Sequence, residues 1–157
     1  MTVDTELDRI ERDITINAPI DRVWELISRP GWWVNNGTAV DNQRNPDQPG
    51  RVIVHHPDCG TFAVATVALD EPRYAAYRWY PGPSDERRAG ELGPGASTLV
   101  EFFLHQAEGQ VTVRVVESGF ATLDEDARVR RETFDSNASG WDEELGLAKA
   151  YVEDATP

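Results

Sequence analysis

Residues 14–27 constrain the fold of this chain most, because a strand pattern changes there directly into a helix pattern. Ile14 and Ile16 alternate with polar neighbours, which is the period of a strand with one buried face. From Ile20 onward, apolar residues recur at the helical spacing i, i+3, i+4 and i+7. Pro19 suits the first position of a helix, since that position needs no backbone donor. The sequence therefore predicts a strand followed at once by a short amphipathic helix.

A second, longer helix is predicted from about residue 137 to residue 153. Gly140 and Gly146 weaken this helix intrinsically, and a close approach of a sheet would account for them. Residues 124–134 change from acidic to basic and are predicted to be a surface segment, either without regular structure or with a helical turn. The apolar stripe of the predicted helix consists of Ala138, Trp141, Leu145, Ala148 and Val152.

Five more strands are predicted between the two helices, and polar stretches at residues 38–50 and 81–96 are predicted to be loops. Hairpin-linked strands with a helix at each end are typical of an α+β fold. The last helix is the longest element able to cover one face of an antiparallel sheet. We expect a curved sheet around that helix, in a single domain over residues 10–154 after a loose acidic lead over residues 1–9. The predicted strands are residues 51–56, 61–69, 74–80, 97–106 and 110–118.

The charge of the chain restricts its partners. The formal net charge is -13, which opposes binding to nucleic acid or to an anionic membrane, since both need clustered Lys and Arg. No apolar run is long enough to span a bilayer, and the N-terminus lacks the apolar region of a signal peptide. A single Cys fits a reducing compartment. We expect a cytoplasmic protein that binds neither nucleic acid nor membrane.

Several segments together resemble a known family. The strand-to-helix segment at residues 14–24, the Trp pair at residues 32–33 and the strand at residues 98–104 are similar to the heat-shock-protein-90 ATPase activator homologue family. Residues 111–120, Gly140 and Trp141 with Leu145 continue the similarity, which covers about residues 10–153. These small bacterial domains belong to the START-like, birch-pollen-allergen-like superfamily (SRPBCC).

The resemblance implies the helix-grip fold, with a cavity between the C-terminal helix and the concave sheet. Superfamily relatives include lipid carriers, hormone receptors, polyketide cyclases and hydroxylase components, so the fold alone does not transfer a function. The family is named after one domain of a eukaryotic cochaperone, which also has a separate N-terminal activating domain. That second domain has no room in this chain, and we do not expect ATPase activation. No cofactor is expected.

Bulky residues on inward strand faces and on the last helix are the candidates for an apolar pocket. The same residues also fit an ordinary hydrophobic core, and the cavity that the resemblance implies favours a pocket. The predicted ligand-binding residues are Trp32, Trp33, Tyr77, Trp79, Phe102, Val113, Trp141 and Leu145.

Polar candidates are few. Glu117 shares the parity of the apolar β-branched residues that precede it on its strand, so it is a candidate carboxylate at the cavity rim, with a salt-bridged strand end as the alternative. His56 and Cys59 flank a predicted turn, but no third ligand or orienting group supports a metal site or a nucleophile. We assign no catalytic residue and no metal ligand.

Three functions remain open from the sequence. The first is a binding protein for a small hydrophobic or amphipathic ligand. The second is a polyketide cyclase-like or hydrolase-like enzyme that uses Glu117 or His56 in the same cavity. The third is a chaperone-accessory or stress-response module that binds a protein partner, which would expose aromatic side chains around Trp32 and Trp33.

Overall fold

The computed structural model describes residues 8–81, 92–93 and 95–154, and within them the α+β prediction is confirmed. Residues 1–7, most of the predicted acidic lead, and residues 82–91 and 94, most of the predicted loop 81–96, lie outside the described residues. The elements in chain order are β1 (Arg9–Ile16), α1 (Ile20–Ile27), β2 (Gln43–Gln48), β3 (Arg51–His56), β4 (Gly60–Asp70), β5 (Tyr74–Trp79), β6 (Thr98–Ala107), β7 (Gln110–Ser118) and α2 (Ala127–Asp154).

The strands form one antiparallel sheet in the order β1-β7-β6-β5-β4-β3-β2. The last strand, β7, pairs with the first strand, β1, so β1 lies at one edge of the sheet and β2 at the other. Alternate residues of the central strands are buried, including Tyr77, Phe102 and Val113, as the period of two requires. The buried residues of helix α2 pack against this inner face, and the apolar core lies between the helix and the sheet.

Two predictions about the elements are wrong. Residues 43–48, predicted as loop, form the edge strand β2, whose side chains are almost all exposed. An edge strand pairs on one side only and tolerates proline, so its polar composition and Pro46 concealed it. Helix α2 begins at residue 127, ten residues before the predicted start.

The early start of α2 has a visible local cause. The Asp126 side chain accepts a hydrogen bond from the backbone N–H of Val129 at 2.9 Å, which is an N-cap contact. The next two turns carry ion pairs at i, i+4 between Arg128 and Glu132 and between Arg131 and Asp135. Because charged residues lie on most sides of these turns, the segment shows no apolar stripe, and its sequence resembles that of a solvated surface segment.

Gly31 positions the segment that follows α1. It has a φ of +75°, and a Cβ at this position would lie 2.6 Å from Cγ2 of Val54. A residue with a side chain would therefore be strained and would clash with β3. The turn carries Trp32 and Trp33 into the core, where they are 3% and 4% exposed. Gly31 thus allows both indoles to reach the inner face of the sheet.

The two glycines of α2 do not mark a close approach of the sheet. A Cβ built on Gly140 or on Gly146 meets no atom within 4 Å outside its own helix backbone and chain neighbours. The expectation that the sheet packs closely there is wrong. Gly140 instead borders an open space, described below, and Gly146 is exposed.

Candidate ligand-binding site

Aromatic rings from four elements meet above the centre of the sheet. The ring of Trp33 lies with its centroid 5.5 Å from Tyr77, 5.4 Å from Trp79, 5.7 Å from Phe102 and 5.9 Å from Trp141. The rings are tilted or edge-to-face, the arrangements that aromatic pairs prefer. All eight residues predicted to bind ligand belong to this one buried cluster.

A cavity of about 180 Å³ lies at one end of this cluster. It is bounded by the segment after α1, the β3–β4 hairpin, the end of β5 and the middle of α2. Its apolar wall consists of Trp33, Val34, Phe62, Trp79 and Trp141.

Three of the eight predicted residues therefore line the cavity, namely Trp33, Trp79 and Trp141. The other five lie in the packed core beneath it. The sequence could not separate the two groups, because both are apolar, inward-facing and close together.

Glu117 is the most unusual residue of the site, because its carboxylate is fully buried and accepts four hydrogen bonds. Oε2 accepts from the indole N–H of Trp79 at 2.8 Å and from the hydroxyl of Thr98 at 2.5 Å. Oε1 accepts from the indole N–H of Trp141 at 2.8 Å and from the amide of Asn137 at 2.9 Å. The carboxylate thus joins β5, β6 and β7 to α2.

The environment of Glu117 differs from both alternatives that the sequence left open. The residue lies behind the cavity wall formed by Trp79 and Trp141 rather than at the rim, and its partners are neutral donors rather than an arginine. Arg114 bonds to Glu11 and Arg78 bonds to Ser97. Burial raises the pKa of Glu117, and the four hydrogen bonds oppose that rise.

A second carboxylate, Glu144, borders the cavity directly and was missed by the sequence analysis. It is half-buried, and its Oε1 accepts a hydrogen bond from the side-chain amide of Asn35 at 2.8 Å. Burial raises the pKa of Glu144 to about 7, with the charge of Glu143 adding to the rise. The signal was the spacing: Glu144 follows Trp141 by three residues and so shares its helix face.

His56 and Cys59 adopt a structural arrangement. Nδ1 of His56 accepts hydrogen bonds from the backbone N–H groups of Asp58 and Cys59 at 2.9 and 3.0 Å. Nδ1 therefore stabilises the turn, and it is not available to take the thiol proton. Burial raises the pKa of Cys59, which lowers the thiolate fraction. Cys59 lines the cavity as a weakly polar group whose Sγ donates to the carbonyl of Asn35 at 3.4 Å.

Two buried indole donors lack an acceptor in the described part of the chain. These are the Nε1–H groups of Trp32 and Trp33. Buried donors of this kind are uncommon and costly. Trp33 also lines the cavity with other atoms of its side chain, whereas its Nε1 atom is itself buried.

Within residues 8–81, 92–93 and 95–154, no three His, Cys, Asp or Glu side chains come close enough to hold a metal ion. Over the same residues, neither helix has the length and apolar character needed to cross a bilayer.

Comparison with known proteins identifies the family. The family described as Activator of Hsp90 ATPase homolog 1-like protein matches residues 17–153, and the chain belongs to that family. No curated protein matches the sequence.

Solved structures share the fold at low sequence identity. Protein MLL2253 from Mesorhizobium loti is 16% identical with a TM-score of 0.67, over 95% of this chain and 98% of that one. The Aha1 dimer from Colwellia psychrerythraea is 14% identical with a TM-score of 0.65, over 96% and 100%. DynU16, from the dynemicin biosynthetic locus, is 18% identical with a TM-score of 0.63, over 93% of this chain and 47% of that one. At these identities the likeness shows the fold alone.

Proposed function

We propose that this protein binds a small amphipathic molecule in the cavity between the sheet and α2. The observation that carries the proposal is the cavity itself, which has three indoles in its wall and the carboxylate of Glu144 at its border. A mostly aromatic pocket with a few polar groups is the usual form of a small-molecule site.

The volume limits the ligand. Sites for drug-sized molecules have volumes of roughly 300–1,000 Å³, whereas this cavity measures about 180 Å³. We therefore expect either a ligand of one or two rings, or a longer molecule of which only one end enters.

Gly140 allows a direct test, because it lines the cavity and its position is open to a side chain. In Gly140→Leu the new side chain would occupy the ligand's space without removing any existing contact. Leu is also the better helix former, by roughly 0.5–1 kcal/mol, so folding should be preserved. Gly146→Leu is the matched control, since this position is open too but does not border the cavity.

The experiment is an equilibrium titration of the three proteins with fatty acids, alkyl and aryl amines, polycyclic aromatics and flavonoids, followed by tryptophan fluorescence. We expect at least one class to bind the wild type and Gly146→Leu equally, and to bind Gly140→Leu at least tenfold more weakly. Equal binding by all three proteins would place the site elsewhere. If no class binds the wild type, the proposal fails.

An enzyme that uses the same cavity is the second candidate, and Glu144 is the observation that favours it. A carboxylate with a pKa of about 7 beside a ligand site is suited to general acid–base chemistry near neutral pH. This candidate differs from the predictions based on Glu117 and His56, whose acceptor atoms are already occupied. Mass spectrometry of a bound ligand before and after incubation tests it: conversion by the wild type that Glu144→Gln abolishes would support catalysis.

The third function, a protein-binding module, receives less support. Its expected signature was exposed aromatic residues around Trp32 and Trp33, and both indoles are buried. The large apolar residues that are exposed in the described chain lie elsewhere and are dispersed: Val40 before β2, Val67 and Leu69 on β4, Phe103 on β6 and Tyr151 on α2.

A further inference from the structure

The charge distribution of the cavity indicates what kind of ligand it accepts. Among the described residues that line it, Glu144 is the carboxylic acid, and none is Lys, Arg or His. Glu144 forms no ion pair with any described residue, and Asn35, which bonds to it, is neutral. The pKa of Glu144 is raised because the carboxylate is half-buried and, among the described residues, has no cation beside it to stabilise its charge.

The aromatic wall carries negative potential of its own. Trp33, Trp79 and Trp141 line the cavity, and the face of an indole, which is the negative side of the ring quadrupole, binds cations best among aromatic side chains. The N–H groups of Trp79 and Trp141 both donate to Glu117. A hydrogen bond to a carboxylate pushes electron density onto the indole ring, because hydrogen-bonded groups polarise one another.

Glu117 therefore contributes to the negative potential in the cavity, although it lies behind the cavity wall. Two of its four partners are indole N–H groups, which can only donate, and one of them bonds to each oxygen, so the arrangement fits the carboxylate rather than the acid. A ligand in the cavity would lie beside Glu144 and beside two indoles that are backed by a second carboxylate. An anionic ligand would be repelled by both carboxylates.

We infer that the ligand carries a cationic amine or quaternary ammonium group, which meets Glu144 and packs against the faces of Trp33, Trp79 and Trp141. This inference names the ligand class of the proposed function and rests on it. The acidic chain, with a net charge of -13, also favours the approach of a cation. A carboxylate head group, such as that of a fatty acid, is therefore not the preferred one.

Three small probes of nearly equal shape separate charge from shape. Benzyltrimethylammonium is the cation, neopentylbenzene is its neutral carbon isostere, and 3-phenylpropionate is an anion of similar size. Titration calorimetry at pH 8 measures their dissociation constants for the wild type, where Glu144 is ionised. We expect the cation to bind about tenfold more tightly than the neutral isostere, and the anion to bind most weakly.

Two variants locate the preference. Glu144→Gln should reduce the affinity for the cation about fivefold to tenfold and leave the neutral isostere within about twofold. Glu143→Gln removes the same formal charge from the preceding residue, which is exposed and does not line the cavity. It should leave both affinities within about twofold, because an exposed charge in water is screened.

Each other outcome overturns the inference. If the neutral isostere or the anion binds as tightly as the cation, the cavity has no preference for positive charge, and the proposed function still stands. The same holds if Glu144→Gln leaves the preference for the cation unchanged. If none of the three probes binds, the inference fails, and the wider ligand panel on Gly140→Leu decides whether the proposed function fails with it.

Discussion

Replacing Glu117 by Gln is the most informative perturbation of the interior, because it preserves shape and changes only the hydrogen bonding. A glutamine has one acceptor oxygen where the carboxylate has two, and its amide nitrogen must face two donors. The hydroxyl of Thr98 or the amide of Asn137 can reorient and accept. The indole N–H on the same side, from Trp79 or from Trp141, cannot.

The magnitude follows from these four contacts. At least one buried indole donor loses its acceptor, which costs about 1–3 kcal/mol. The two hydrogen bonds that remain lose their charge assistance, since hydrogen bonds to charged groups are about twice as strong. Relief from burying a charge offsets part of the loss. We expect Glu117→Gln to lower the free energy of unfolding by about 2–4 kcal/mol.

Urea denaturation followed by tryptophan fluorescence and circular dichroism measures this change. With an m-value of about 2 kcal/mol/M, the middle of the usual range, the midpoint should fall by roughly 1–2 M. Glu143→Gln, at an exposed position on α2, is the control and should stay within about 0.5 kcal/mol of the wild type. If Glu117→Gln unfolds like the control, the carboxylate does not hold the sheet to α2 and the reasoning about its four donors is wrong.

Three further predictions test other parts of the structure. Cys59→Ser should change stability by less than about 1 kcal/mol in thermal denaturation, because a serine hydroxyl can also donate to the carbonyl of Asn35; a larger loss would give the thiol a role that its contacts do not show. Removing residues 137–157 should abolish cooperative unfolding in circular dichroism, since Trp141, Leu145, Ala148 and Val152 are the buried residues of that part of α2; a soluble, cooperatively folding truncation would contradict the role of the helix. The folded-state pKa of Glu144 is about 7, above its ordinary value of 4.5, so its contribution to stability is present below pH 4.5 and is lost as the pH rises to 7. The difference in unfolding free energy between wild type and Glu144→Gln should therefore fall over that window in urea titrations at several pH values, and a flat difference would contradict the raised pKa.

The sequence predicted the fold from elements whose burial pattern is regular. Strands β3 and β7 were predicted with their observed bounds, and the parity of Val111, Val113 and Val115 correctly turned Glu117 inward. The polar edge strand β2 and the charged first turns of α2 were missed, because neither buries a continuous apolar face. Local patterns are informative only where one side of an element is hidden from water.

The candidate site was harder to predict because its contacts join distant parts of the chain. The partners of Glu117 lie on β5, β6 and α2, and the pairing of Trp79 with Thr98 depends on the register of two strands joined by a long connection. The hydrogen bond between Asn35 and Glu144 spans 109 residues. No periodicity within a segment specifies such contacts, and the difference between core and cavity wall depends on packing that a sequence pattern does not contain.

The five indole N–H groups of this chain permit the most direct measurement of the central claim, because each gives its own signal in a ¹H–¹⁵N NMR spectrum. Titration with the tightest ligand of the panel should shift the signals of Trp33, Trp79 and Trp141, which line the cavity. The signal of Trp24, on α1 and not among the lining residues, is the internal control and should stay in place. Shifts of the three lining indoles with a constant Trp24 are the predicted result. Unchanged lining indoles in the presence of a bound ligand would contradict the claim that this cavity is the binding site.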